Sequence, residues 1–471
     1  LRRILVRLQG VAIGAWSNCA TVATTPKTDE KTRKLVGFLT EIASELPIRN
    51  LVQNENHWHI MSAVRAPLRL LSQTAFFTYG IFFGGSFLFP GKPEHYEYYY
   101  WAVLPFAAIL APTALKLLRI SPLFWLVIAY TLYMLMASAW SQPFLMDDFL
   151  FHCRRILYVL AFILVTVVLL YEYPRQFEWL LKITCAIAAL TAVAAIVLWY
   201  PEHAFPESRL QGIGKFTAPH GSAAAFGFFG VLALAYADRE RAIALRIGFG
   251  LSAALIFAFV IATQSRTGVL AFVLAGLTLT LPQHPKKVLA LMLVFAAFAA
   301  VIWIFLPVLA DGLARGLPYR PAIWSSAFSH AMEAPIFGHG SLSATLVMLP
   351  PNTFVHAHSP FLGSFRDGGI IGLALLVALL GYACVAALRY SRSQHDTKYL
   401  SLWIYMMICI TPNMDRLFVR PNELWMYFWL PLVFLIWQEI LEPRDRTSAA
   451  VSETSQGGLE NALSAQERSC S

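Results

Sequence analysis

Long charge-free apolar runs, separated by short polar stretches, set the pattern of this chain. They fall near 70–89, 98–115, 121–140, 156–171, 181–200, 220–237, 247–265, 267–285, 288–308, 368–388, 399–412 and 424–438. Crossing a hydrocarbon layer takes about 20 apolar residues. Helices satisfy the backbone's hydrogen bonds within one segment. The pattern therefore predicts an all-α, polytopic membrane protein with about twelve transmembrane helices. Its least distinct boundary is Arg266, where a turn over Gln264-Ser265-Arg266-Thr267-Gly268 makes a tight helical hairpin.

Composition agrees with that reading. Of 471 residues, 58% are hydrophobic and 13% charged, far from the balance of a soluble domain. The formal charge of +9 suits a nucleic-acid binder or a membrane protein with basic cytoplasmic loops. The placement of charge decides for the second. With the N-terminus inside, every cytoplasmic loop is basic: Lys116 and Arg119; Arg175 and Lys182; Arg239, Arg241 and Arg246; Lys286 and Lys287; Arg389, Arg392 and Lys398; Arg444 and Arg446. An odd miscount of spans would have scrambled the later loops.

The outer face departs from the rule. Its loops hold Arg154 and Arg155, then Arg209, Lys215 and His220, then Arg266, and finally Asp415, Arg416 and Arg420. The loop of roughly sixty residues before the tenth span carries Arg315, Arg320, His330, His339, His356, His358 and Arg366. Positive charge on a translocated face opposes the topology rule, and loops this long are commonly functional. The site is expected there.

Arg320-Pro321-Ala322-Ile323-Trp324 opens a helix with Pro near its start and puts Arg320 and Trp324 on one face. It should run to about Met332 and stop at Pro335-Ile336-Phe337-Gly338-His339-Gly340, lying on the outer surface with Trp324 and Phe328 toward lipid. Arg320 then either anchors the surface or reaches an anionic substrate. His356 and His358 stand at the membrane boundary, suited to acid–base work at neutral pH, to structural hydrogen bonding, or, with Asp367, to a poor metal site. Arg209 to Lys215, followed by Pro219-His220, sets two glycines among basic residues, allowing close backbone approach to phosphate, though it is not a Walker A loop. Arg266, flanked by uncharged residues, must face protein, water or headgroups.

The remaining features are plainer. Cys19, Cys153, Cys185, Cys384, Cys409 and Cys470 show neither disulfide nor zinc spacing. Residues 1–66 read as a cytoplasmic extension outside the native fold or a start-site artefact upstream of Met61. Residues 67–441 read as the transmembrane domain, 309–366 as a helical outer subdomain, and 442–471 as a disordered cytoplasmic tail. Asp147-Asp148 reads as structural or as an acceptor contact rather than a metal site.

Taken in order, Arg209…Pro219-His220, Ser265-Arg266, Arg320…Trp324, Pro335…Gly338-His339-Gly340, His356-Ala357-His358-Ser359 and Gly368-Gly369-Ile370-Ile371-Gly372 resemble the bacterial O-antigen ligase and polymerase superfamily of membrane glycosyltransferases. The resemblance covers most of residues 200–390. Ser359 stands where many relatives carry Asn. It implies a Gram-negative inner-membrane enzyme with cytoplasmic termini and a periplasmic site in the 309–366 loop. That enzyme transfers a glycan from undecaprenyl pyrophosphate to a hydroxyl of the lipid A–core oligosaccharide, with inversion and without nucleotide, metal or other cofactor. In that reading His356 is the general base and Arg209 and Arg266 neutralise the pyrophosphate. Arg320, His358, Lys215, His220, Trp324 and His339 contact substrate, with His358 as the alternative base.

Two rivals bear on the same residues. A polymerase, or a transferase to protein hydroxyls, shares the superfamily pattern. A transporter or lipid flippase would place polar groups at mid-membrane, where this sequence has few, and would show paired halves, which it lacks.

Overall fold

The computed structural model describes residues 57–205, 207–280, 319–343, 347–349, 352–354 and 357–442; for 57–69, 319, 320 and the two strands it describes the backbone path alone. The chain divides into two compact units, Leu1–Gln73 and Thr74–Ser471, and the site lies in the second. The extension 1–56, the ninth apolar run at 288–308, the 309–318 start of the outer loop, His356, and the tail from 443 lie outside the described residues.

Helices follow the apolar runs. They are α1 (His57–Gly84), α2 (Lys92–Leu118), α3 (Pro122–Ala137), α4 (Met146–Glu172), α5 (Pro174–Trp199), α6 (Pro219–Arg239), α7 (Ile243–Ala262) and α8 (Arg266–Thr280). After the outer loop come α10 (Pro360–Gln394), α11 (Lys398–Ile410) and α12 (424–442). Among the described residues seven helices are long and apolar enough to cross a membrane, and α8 and α11 are shorter apolar helices. Pro sits in the first turn of α3, α5, α6 and α10, where its missing N–H leaves nothing unpaired.

Lipid acts as the solvent of this fold. Trp101 is 82% exposed and Leu190 71%, residues no soluble protein would leave bare in number. By contrast α6 is buried nearly all round, as befits a central helix. The start of α12, Leu424 to Ile436, is buried beside it. Cys153, Cys185, Cys384 and Cys409 are free thiols.

Contacts group several of the loops with one another. Arg239 pairs with Asp396, Lys182 with Glu240 at 3.0 Å, and Ser121 with Glu439, all on loops or helix ends assigned to the cytoplasm. Arg209 with Thr263, His339 with Arg366 and Trp140 with Phe337 join loops assigned to the outer face.

Three expectations change. The fourth run begins a helix at Met146, not 156, because Asp147 and Asp148 suit a first turn. Arg154 and Arg155 therefore stand on α4 rather than in a loop. The outer subdomain is not wholly helical: after α9 (Tyr319–Ala331) come β1 (Val347–Leu349) and β2 (Asn352–Phe354), paired antiparallel with Val347 opposite Phe354. The tenth run begins at Pro360 and is broken at Gly369, whose φ is 63° and ψ −161°.

Candidate active site

The break in α10 builds one wall of the site. At Gly369 the helical ladder is interrupted, and an outer segment takes up the freed groups. His339 N–H donates to the Arg366 carbonyl at 2.8 Å, Gly340 N–H to Asp367 at 2.9 Å, and Ile370 N–H to Pro335 at 2.8 Å. A Cβ on Gly369 would stand 2.1 Å from the Ile336 carbonyl oxygen, so only glycine fits that backbone. The far side of the segment is tied to the end of α3. Trp140 Nε1–H donates to the Phe337 carbonyl at 3.2 Å, Leu342 N–H to Ser141 Oγ at 2.9 Å, and Ser341 Oγ–H to Met134 at 2.9 Å. The stretch the sequence marked as a helix stop is a clasp between α3 and α10.

Beneath the clasp lies a buried ion cluster. Arg366 and Asp367 are 1% and 2% exposed. Arg366 donates Nε–H to Asp367 at 2.7 Å and Nη2–H to Asp415 at 3.3 Å. Arg416 Nε stands 3.6 Å from the other oxygen of Asp367. Isolated charges would be expelled from such a place, and these persist because each faces an opposite one. Tyr130 and Ser364 share a hydrogen bond at 2.7 Å, and Tyr133 O–H donates to the Gly368 carbonyl at 2.6 Å. Arg366 and Asp367 were legible as an ionisable pair beside an apolar run, though not as the hub of the site.

Asp415 links this cluster to the histidine segment. Its Oδ1 accepts from the Ala357 N–H at 3.0 Å, between the two candidate histidines. His358 is half-buried with φ 51°, a left-handed conformation that non-glycine residues adopt sparingly. The Gly363 N–H to Ser359 carbonyl bond at 2.8 Å then starts α10.

The arginine arm assembles from two loops. Arg209 Nε–H donates to the Thr263 carbonyl at 3.1 Å, Leu210 N–H to Ala262 at 3.2 Å, and Gln264 Nε2–H to Ser208 at 3.3 Å. Arg209 Nη2 also meets His220 Nδ1 at 3.3 Å. The loop before α6 is thereby fastened to the turn before α8. That turn has Gln264 at φ 53° and ends with Arg266, exposed at the first position of α8. The hairpin expected around Arg266 is present as the α7–α8 turn.

The other candidates divide. Lys215 is only 2% exposed, with Nζ 3.3 Å from Nδ1 of His95, and burial pushes its pKa down to about 7. Its ammonium is closed off from solvent against the His95 ring. His339 spends Nε2 on the His330 carbonyl at 2.7 Å and stacks on the His330 ring at 4.1 Å. Burial, with His339 beside it, keeps His330 neutral more readily than usual. Glu333 joins these two in the group among the described residues whose ligand atoms lie within 4.8 Å of one another. Helix α9 buries Ile323, Ala327 and Ala331, while Phe328 faces outward at 51% exposure. Trp324 is half-buried rather than turned out to lipid, because it borders that packed face; its indole N–H has no partner among the described residues. Arg320 lies on α9, and its side chain, like His356, is outside the described residues.

Comparison with known proteins adds two findings. A family model described as O-antigen ligase matches residues 251–377. A curated protein of Pseudomonas aeruginosa, named O-antigen ligase, is 31% identical over 333 residues, covering 69% of this chain and 80% of that protein.

Proposed function

The chain belongs to the O-antigen ligase family, and on that premise we propose that it transfers a glycan from undecaprenyl pyrophosphate to a hydroxyl of the lipid A–core oligosaccharide. The reaction takes place at the periplasmic face of the inner membrane, with both termini cytoplasmic and about twelve helices crossing. The observation that carries the reading is the fastening of Arg209 to the Thr263–Arg266 turn, which delivers two guanidinium groups from separate loops to one end of the bundle.

Pyrophosphate leaves readily when its charge is neutralised, and guanidinium does this through paired hydrogen bonds. Arg209 and Arg266 serve that role, with Arg320 as a third donor. A histidine accepts the proton of the acceptor hydroxyl as its oxygen attacks the anomeric carbon. The bond from that carbon to the pyrophosphate oxygen breaks, and the carbon inverts. The base proposed is His358, with His356, the expectation from sequence alone, as the alternative. His358 is supported by its left-handed backbone and by anchors on either side, at Ala357 and Ser359. Strained backbone of this kind gathers at functional positions. No step is assigned to a metal or nucleotide. Trp324 and His220 border the sugar and pyrophosphate, while Lys215 and His339 position the loops that carry the site.

The test uses purified protein with carrier-linked O-glycan and lipid A–core, with chelator and without nucleotide. A glycan–lipid A product supports the ligase reading. Elongation of carrier-linked repeats with no product on lipid A–core supports the polymerase instead.

A further inference from the structure

The outer end of α4 carries a second basic group that the arginine arm above does not use. Arg155 lies 4.0 Å from the centroid of the Phe151 ring. Arg420, from the loop between α11 and α12, lies 4.7 Å from the same ring and 5.9 Å from Tyr96. Arg416 is near enough to act electrostatically on both Arg155 and His152. Glu423 shares the neighbourhood through Tyr96. Among the described residues, however, no carboxylate forms an ion pair with Arg155 or Arg420; Arg416 reaches Asp367, which already faces Arg366.

Like charges held around one ring repel, and polar atoms taken out of water normally find partners. Here they have not. Among the described residues Nε of Arg155 and Nε2 of His152 are buried without a hydrogen-bond partner, Nε of Arg416 has only the Asp367 carboxylate at 3.6 Å, and His152 is 6% exposed. The cavity beside His152, Asp415 and Arg416 measures about 20 Å³, room for little more than one water. A larger anion must therefore approach from the Arg155–Arg420 side. That side offers aromatic surface: Tyr96 and Tyr100 are half-buried, and Tyr100 packs on Tyr158 at 4.5 Å.

We infer that Arg155, Arg416 and Arg420 form a binding site for a phosphate group carried on a sugar, with the Phe151 and tyrosine rings as its apolar floor. Guanidinium forks match phosphate oxygens, and the buried Nε of Arg155 gains an acceptor when the anion is bound. Two ligands carry such a group: an acceptor glycolipid with phosphorylated core sugars, and the pyrophosphate-linked donor. This choice of ligands rests on the glycan-transfer reading; the phosphate chemistry of the cluster does not.

The test measures binding by full-length protein in lipid nanodiscs to three probes: lipid A–core with a phosphorylated core, the same core with its sugar phosphates removed, and glycan-bearing undecaprenyl pyrophosphate. Arg155→Gln and Arg420→Gln are compared with the parent. Arg420 is exposed, so its variant is expected to fold whatever becomes of Arg155→Gln. Loss of about tenfold in affinity for the phosphorylated core alone supports the site and assigns it to the acceptor. The same loss confined to glycan-bearing undecaprenyl pyrophosphate supports the site and assigns it to the donor. Folded Arg420→Gln that binds all three probes as the parent does, or loses affinity equally for both forms of the core, overturns the inference. Because binding is read without turnover, a parent that transfers no glycan but shows the Arg420-dependent phosphate preference would sink the functional reading and leave this site standing.

Discussion

Arg209 donates its Nε–H to the Thr263 carbonyl at 3.1 Å, so the position of its guanidinium is set by the α7–α8 turn and not by its own loop alone. A lysine keeps the charge but has neither the Nε donor nor the planar fork. Arg209→Lys should lower glycan transfer at least about tenfold, the loss expected of one charge-assisted hydrogen bond. The melting temperature should stay near the parent's. Equal transfer rates in purified parent and variant would remove Arg209 from the pyrophosphate.

Gly369 at φ 63° is the hinge on which the α10 break turns. Gly369→Ala would drive a Cβ into the Ile336 carbonyl and undo the clasp at His339 and Gly340. We expect destabilisation of at least about 2 kcal/mol, from a positive φ combined with a backbone clash. Thermal unfolding in detergent reads this directly, and an unchanged melting temperature would mean the break is not needed.

Asp367 faces both Arg366 and Arg416. Asp367→Asn leaves the buried Arg366 with Asp415 as its remaining counter-charge, and breaking such a pair costs about 3–5 kcal/mol. The variant should express poorly or melt well below the parent. Arg366→Gln combined with Asp367→Asn should recover part of the loss, which a double-mutant cycle measures.

Lys215 gives a pH signature. Its pKa in the fold is about 7, against an ordinary 10.5, because burial disfavours its charge. Between those values the unfolded chain binds a proton that the folded one does not, so stability rises with pH across the interval. Below about 7 both states are protonated and the penalty is fully present. Lys215→Met should be more stable than the parent near pH 6.5 and should lack that rise toward pH 9. Parallel melting curves at the two pH values would contradict the assignment.

Much of the helical frame was legible because a bilayer leaves so few options: apolar runs at 121–140, 220–237 and 247–265 became α3, α6 and α7 with small shifts. Ends were harder to read where polar residues continue a helix, as Asp147 and Arg155 do on α4. Nothing local announces the break at Gly369, since Gly368-Gly369 reads equally well as a helix start; its cause is the distant segment 335–340 that captures the freed groups. Arg209, His220 and Arg266 could be chosen from charge on the wrong face, but the bonds of Arg209 to the Thr263 carbonyl and to His220 are tertiary facts. The same holds for Lys215, whose burial against His95 no local feature of the sequence announces. Asp415 was visible only as an outer-loop charge. Its bond to the Ala357 N–H makes it a neighbour of the candidate base.

The most direct test of the central claim is the long-chain lipopolysaccharide ladder of a ligase-deficient strain carrying the parent, His358→Ala or His356→Ala at matched membrane levels. The account predicts that the parent restores the ladder and that His358→Ala loses it, since general-base catalysis contributes about 10²–10⁴-fold. A ladder of parental intensity in both histidine variants would contradict it.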